Sequence, residues 1–82
     1  MGHLTIEVPP VLGESLTLPY TVGQPLVNVL QLAPVLLEAL VNRAGQLNPY
    51  VRLYLDNQPV TLATPLGEKV KTLTIVSALS GG

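Results

Sequence analysis

The chain has no cysteine, no tryptophan and no phenylalanine, and its one histidine is His3. Without cysteine there is no disulfide framework, no thiolate nucleophile and no Cys/His metal site. Charge is scarce as well: 11% of residues are charged, under half of the usual ~25%. Disordered chains are charge-rich and apolar-poor, so a composition that is 48% hydrophobic argues for a folded core. The four basic residues, Arg43, Arg52, Lys69 and Lys71, are scattered, and the formal net charge is −1. No run of phosphates meets a basic patch here, which disfavours nucleic acid as a partner. The acidic residues Glu7, Glu14, Glu38, Asp56 and Glu68 are equally scattered and suggest no general acid/base pair. No G-x-x-x-x-G-K-[ST] phosphate loop occurs either. An independent enzyme is therefore the weakest reading, and chemistry is left to carboxylates, hydroxyls or the chain termini.

What is abundant is leucine, at 17 of 82 positions. A chain of this length makes one small domain, read here as 1–82 with 78–82 as a flexible C-terminal tail. The N-terminus lacks a basic region followed by an apolar run, so no secretory signal is read. The most apolar stretch, Leu26 to Val41, is shorter than the ~20 residues of a membrane span. Asn28, Gln31, Pro34 and Glu38 also interrupt it. These features imply a cytoplasmic protein without a membrane partner. Gly2-His3 reads as a cloning remnant or a disordered terminus.

Leu4-Thr5-Ile6-Glu7-Val8 alternates as a half-buried strand does, with Leu4, Ile6 and Val8 inward. Pro9 and Pro10 end it, Gly13-Glu14-Ser15 supplies a turn, and Ser15 to Leu18 alternates again, so a hairpin is predicted. The period then changes. Leu26, Leu30, Ala33, Leu37, Leu40 and Ala44 form a helical stripe, with Pro25 suited to its first turn. Pro34 lacks an N–H and clashes with the preceding turn, so two helical pieces are predicted, 26–32 and 34–44, the second stopped by Gly45. Tyr50 to Asp56 alternates, with Val51, Leu53 and Leu55 inward and Tyr50, Arg52 and Tyr54 outward. Asp56 to Pro59 carries turn chemistry, Val60 to Leu62 a short strand, Thr64 to Gly67 a loop, and Lys71 to Val76 a last strand with Leu73 and Ile75 inward. Tyr20 is read as packing. Helices on one face of a sheet make an α+β domain. The order strand, strand, helix, strand, short strand, strand is that of a β-grasp, or ubiquitin-like, fold: a mixed sheet of four to five strands with a kinked or split helix on one face.

Two segments carry a family resemblance. Gly45-Gln46-Leu47-Asn48-Pro49-Tyr50-Val51 leads into an alternating strand and is similar to a "G-x-L-x-P-x-V" pattern. Leu73-Thr74-Ile75-Val76-Ser77-Ala78-Leu79-Ser80-Gly81-Gly82 is similar to a "V-T-I-x-P-A-x-x-G-G" ending. In both, the chain resembles the MoaD/ThiS sulfur carriers, small proteins of the molybdopterin, thiamine and cysteine pathways. It departs from them in three places: Gly67-Glu68-Lys69-Val70-Lys71 stands where the family has an acidic turn, Ser77 stands where proline is common, and the helical region before Pro34 is shorter than usual.

The resemblance implies a carrier rather than an enzyme. A terminal carboxylate is an anion at neutral pH and a poor electrophile. By resemblance, a ubiquitin-activating-type enzyme adenylates the Gly82 carboxylate with ATP, and sulfur then replaces AMP to leave a thiocarboxylate. A downstream synthase accepts the sulfur, with molybdopterin or cysteine type favoured by chain length. No cofactor is expected on the chain itself. Leu79, Ser80 and Gly81 would thread the partner's channel, where residues without Cβ permit close approach. Ordering those tail residues with Gly82 costs on the order of 4–8 kcal/mol, so a docking surface on the folded domain must supply a surplus. The row Tyr50, Arg52 and Tyr54 suits that role through its Tyr and Arg content, although such neighbours also pack across strands. The surplus apolar helix positions Val27, Leu32, Val35 and Leu36 either complete the core or leave a patch for a partner or a second copy. Two other functions remain open: a ubiquitin-like modifier joined to lysines through Gly82, and a β-grasp binding module without terminal chemistry.

Overall fold

The computed structural model describes residues 2–78. Five strands form one sheet: β1 (Gly2–Glu7), β2 (Leu16–Tyr20), β3 (Val51–Leu55), β4 (Gln58–Val60) and β5 (Thr72–Ser77). Two short helices, α1 (Leu26–Leu30) and α2 (Pro34–Leu40), lie between β2 and β3 in the chain. The sheet order is β2-β1-β5-β3-β4. β5 runs parallel to β1 and antiparallel to β3, which makes it the central strand of a mixed sheet.

The predicted alternation becomes burial. Leu4 and Ile6 of β1, Val51, Leu53 and Leu55 of β3, and Leu73 and Ile75 of β5 all belong to the core. Leu26, Val29 and Leu30 of α1 and Leu36 and Leu40 of α2 close it from the helical side. Burying a leucine of this kind contributes roughly 1.5–3 kcal/mol. No helix among the described residues is long and apolar enough to cross a membrane.

Several boundaries differ from the sequence reading, each for a local reason. β1 starts at Gly2, so His3 is paired with Pro19 and is not a loose terminus. Gly2 lies against the Tyr20 ring so closely that a Cβ there would sit 2.7 Å from Cε1. β2 extends through Pro19, which an edge strand tolerates because a missing N–H costs it no central ladder bond. β4 begins at Gln58, two residues before the short strand expected from the sequence. Asp56 and Asn57 both take positive φ, 47° and 72°, so the hairpin needs only those two residues and Leu55 already faces Gln58.

The helix divides at Pro34 as the sequence predicts, with Ala33 as its N-cap. α2 nevertheless ends at Leu40 and not at Ala44. Val41 turns extended and forms a bridge with Leu47. The Asn42 side chain accepts bonds from the N–H groups of Ala44 (2.9 Å) and Gln46 (3.1 Å), offering the backbone an alternative to the helix. Gly45 does take the left-handed conformation, φ 78°, but uses it to close this loop. Ala44 is accordingly exposed, whereas Val29 and Leu36, outside the predicted stripe, are buried.

The 61–71 connection holds more of the core than its composition suggests. Leu66 is 1% exposed, with its N–H bonded to Gln24 O and its O accepting from Gly23. Leu26 and Val27, at the start of α1, donate their N–H groups to Thr64 O and Leu62 O, which satisfies donors that a helix start leaves without partners. Tyr20 packs as expected and donates its hydroxyl to Gly67 O at 2.9 Å.

Candidate functional site at the end of strand β5

The family resemblance implies a reactive group at Gly82, with Gly81, Ser80 and Leu79 leading to it. All four lie outside the described residues. What the structure describes is the surface from which β5 delivers the chain to them.

β5 ends at Ser77, which is buried. Ala78, assigned to the tail by the sequence reading, still donates its N–H to Tyr50 O at 2.9 Å. Because β5 is antiparallel to β3, its end lies beside the start of β3, where Tyr50 and Arg52 sit. The strand pattern fixes which side chains share the open face of the sheet: with Val51, Leu53, Leu55, Leu73 and Ile75 inward, Arg52 and Tyr54 face outward with Thr74 and Val76. Arg52 is registered opposite Val76 and Tyr54 opposite Thr74.

The three docking candidates are thus not equivalent. Tyr50 is joined to the exit through its carbonyl, and its side chain is half-buried. Arg52 is exposed, with Nη1 donating to Pro49 O (2.8 Å) and more weakly to Val51 O (3.2 Å). These bonds lay the guanidinium over the turn that precedes β3 and leave its charge at the surface. Tyr54 lies farther from the exit, half-buried between registered partners Thr74 and Pro59. Thr74 in turn donates to Glu7 Oε1 at 3.2 Å. Tyr54 therefore fits the cross-strand packing reading better than its two neighbours do.

Val76 was not singled out in the sequence, yet it is 45% exposed beside Arg52. The signal was present: once Leu73 and Ile75 point inward, Val76 must point out. The exit surface thus combines one cation, one exposed aliphatic side chain and a partly exposed tyrosine. Among the described residues no group of three or more His, Asp or Glu could hold a metal ion. No buried side-chain nitrogen or oxygen among them lacks a hydrogen-bond partner.

No protein-family model matches the chain, and no curated protein matches it. Among solved structures, the chain is similar to SAMP1 from Haloferax volcanii, with a TM-score of 0.75 and 11% sequence identity over 99% of this chain and 100% of that chain. At that identity the likeness concerns fold. Sheet order, strand directions and the split helix are those of a ubiquitin-like β-grasp domain.

Proposed function

We propose that this β-grasp domain is a sulfur carrier whose reactive group is the Gly82 carboxylate. The observation that carries the reading is the end of β5. The central strand brings the chain to Ala78, held at Tyr50, four residues before Gly82 in a sequence ending Leu-Ser-Gly-Gly. In this reading the chain is a co-substrate of partner enzymes and not a catalyst.

In the first step a carboxylate oxygen of Gly82 attacks the α-phosphorus of ATP held by an adenylating enzyme of the ubiquitin-activating type, and pyrophosphate leaves. In the second, hydrosulfide attacks the acyl carbon. AMP leaves, a proton is released, and the product is a thiocarboxylate. No electrons are exchanged when the attacking species is hydrosulfide. A synthase of the molybdopterin or cysteine type then takes the sulfur, and the cycle belongs in the cytoplasm.

Each residue has a role matched to its chemistry. Gly81 and Gly82 pass a narrow channel because they carry no Cβ, with Ser80 and Leu79 behind them. Arg52 and Tyr50 flank the point of departure and supply contact with the partner, where Arg and Tyr are the residue types most often found to dominate binding. Tyr54 extends the same face.

Intact-mass measurement after incubation with an adenylating enzyme, ATP and sulfide tests the proposal. The expected result is a gain of one sulfur less one oxygen, lost in a chain truncated before Gly82. No mass change across plausible activating enzymes would overturn it. Lysine-linked conjugates carrying a Gly-Gly remnant, with no thiocarboxylate, would replace the carrier reading with that of a protein modifier.

A further inference from the structure

A cavity of about 260 Å³ opens between the 9–15 loop, which joins β1 to β2, and the start of α2. Leu12 and Leu16 line it from the loop side, and Pro34, Val35 and Leu36 from the helix. It is smaller than the ~300–1,000 Å³ typical of small-molecule sites, and its size suits one large apolar side chain.

Two further observations concern the same segments. Of five large hydrophobic residues that are exposed among the described residues, Val35 (80%) lines the cavity, while Val11 (63%) lies on the 9–15 loop and Leu32 (57%) in the turn before α2. All charge on 9–15 and 31–40 is also negative, carried by Glu14 at the cavity and by Glu38, one turn beyond Val35 on α2. Both are exposed, and neither forms a hydrogen bond or an ion pair among the described residues. The four cationic residues lie on other segments.

From this combination we infer that the face docks a segment of another protein, one that inserts a large apolar side chain into the cavity and flanks it with lysine or arginine. A second copy of this chain meeting this face with its own is a poorer occupant, because it brings the same two carboxylates and no cation to the contact. An anionic bilayer is repelled by them. Flanking cations steer the encounter and select the partner, while the apolar anchor supplies most of the contact energy. The inference is independent of the chemistry at Gly82.

The chain has no tryptophan, so a peptide's own tryptophan reports binding without background. The probes are short blocked peptides with one central tryptophan, flanked by lysines in one and by glutamates in the other. With the full chain, the lysine peptide is expected to show a saturable blue shift of its emission. Amide shifts should centre on Leu12, Gly13, Val35 and Leu36, with affinity at least tenfold above that of the glutamate peptide. Glu14→Lys combined with Glu38→Lys should reverse the preference. Val35→Asp, at a site too exposed to endanger folding, should weaken binding of the lysine peptide while leaving the far-ultraviolet circular dichroism unchanged.

Equal affinity for the two peptides would overturn the proposal, as would the absence of saturable binding or shifts centred on Arg52 and Val76. A dimer in sedimentation that Val35→Asp dissolves would assign the face to a second copy. Vesicles of anionic lipid that bind wild type and not Val35→Asp would assign it to a membrane. Either result also overturns the inference.

Discussion

The two ends of β5 are held very differently. At its start, the Asp56 carboxylate accepts the N–H groups of Lys71 (3.1 Å to Oδ2) and Thr72 (2.9 Å to Oδ1), while Asp56 N–H donates back to Thr72 O. The Tyr20 hydroxyl fastens the connection just upstream at Gly67, and Leu66 plugs it into the core. At its far end, Ala78 follows the last residue of the strand and donates its N–H to Tyr50 O. Local stability in proteins is uneven and follows burial and hydrogen bonding. The difference teaches that, among the described residues, the contacts made by Asp56, Tyr20 and Leu66 gather where the chain enters the sheet.

Three substitutions test that contrast, in descending order of expected effect. Leu66→Ala removes a fully buried side chain from the anchored end, and urea denaturation should show a loss of about 2–5 kcal/mol. A loss no greater than that of an exposed site would mean that the 61–71 connection is not part of the cooperative core. Asp56→Ala deletes the carboxylate clamp and places alanine at positive φ, for an expected cost of about 2 kcal/mol. Asp56→Asn tolerates that conformation and keeps one acceptor oxygen, so it should recover most of the loss. Ala78→Pro removes the Ala78 N–H bond to Tyr50 O. Because Ser77 before it is already extended, as a residue preceding proline prefers, stability should fall by less than about 1 kcal/mol. An Ala78→Pro loss equal to that of Asp56→Ala would erase the asymmetry between the two ends.

Legibility in the sequence followed the range of the interactions. Strands β1, β3 and β5 were readable because a period of two in Leu4-Ile6, Val51-Leu53-Leu55 and Leu73-Ile75 is a direct consequence of one buried face. The break at Pro34 was readable because a missing N–H acts within one turn. The end of α2 was not, since it depends on Asn42 capturing the amides of Ala44 and Gln46 and on Val41 pairing with Leu47. Leu66 was hidden for a similar reason: in the sequence it is one apolar residue in a Pro/Gly loop, and only its bonds to Gln24 and Gly23 draw it inward.

At the candidate site the same division holds. Tyr50, Arg52 and Tyr54 were recognisable as an outward row. Which of them stands at the exit was not, because that depends on β3 running antiparallel to β5. Val76 became part of the surface through the same pairing.

By itself, then, the sequence determined that this is a small α+β domain with alternating strands, a helix divided at Pro34 and no means of thiol or Cys/His metal chemistry. Side-chain identity and local periodicity act over a few residues and need no partner strand to be read. Tertiary structure alone decided that β5 lies at the centre and leaves the sheet beside Tyr50. It also decided that the 9–15 loop and the start of α2 meet around an apolar cavity. Both results join segments more than fifteen residues apart in sequence, through strand pairing in one case and side-chain packing in the other, and such contacts exist only once the chain has closed on itself.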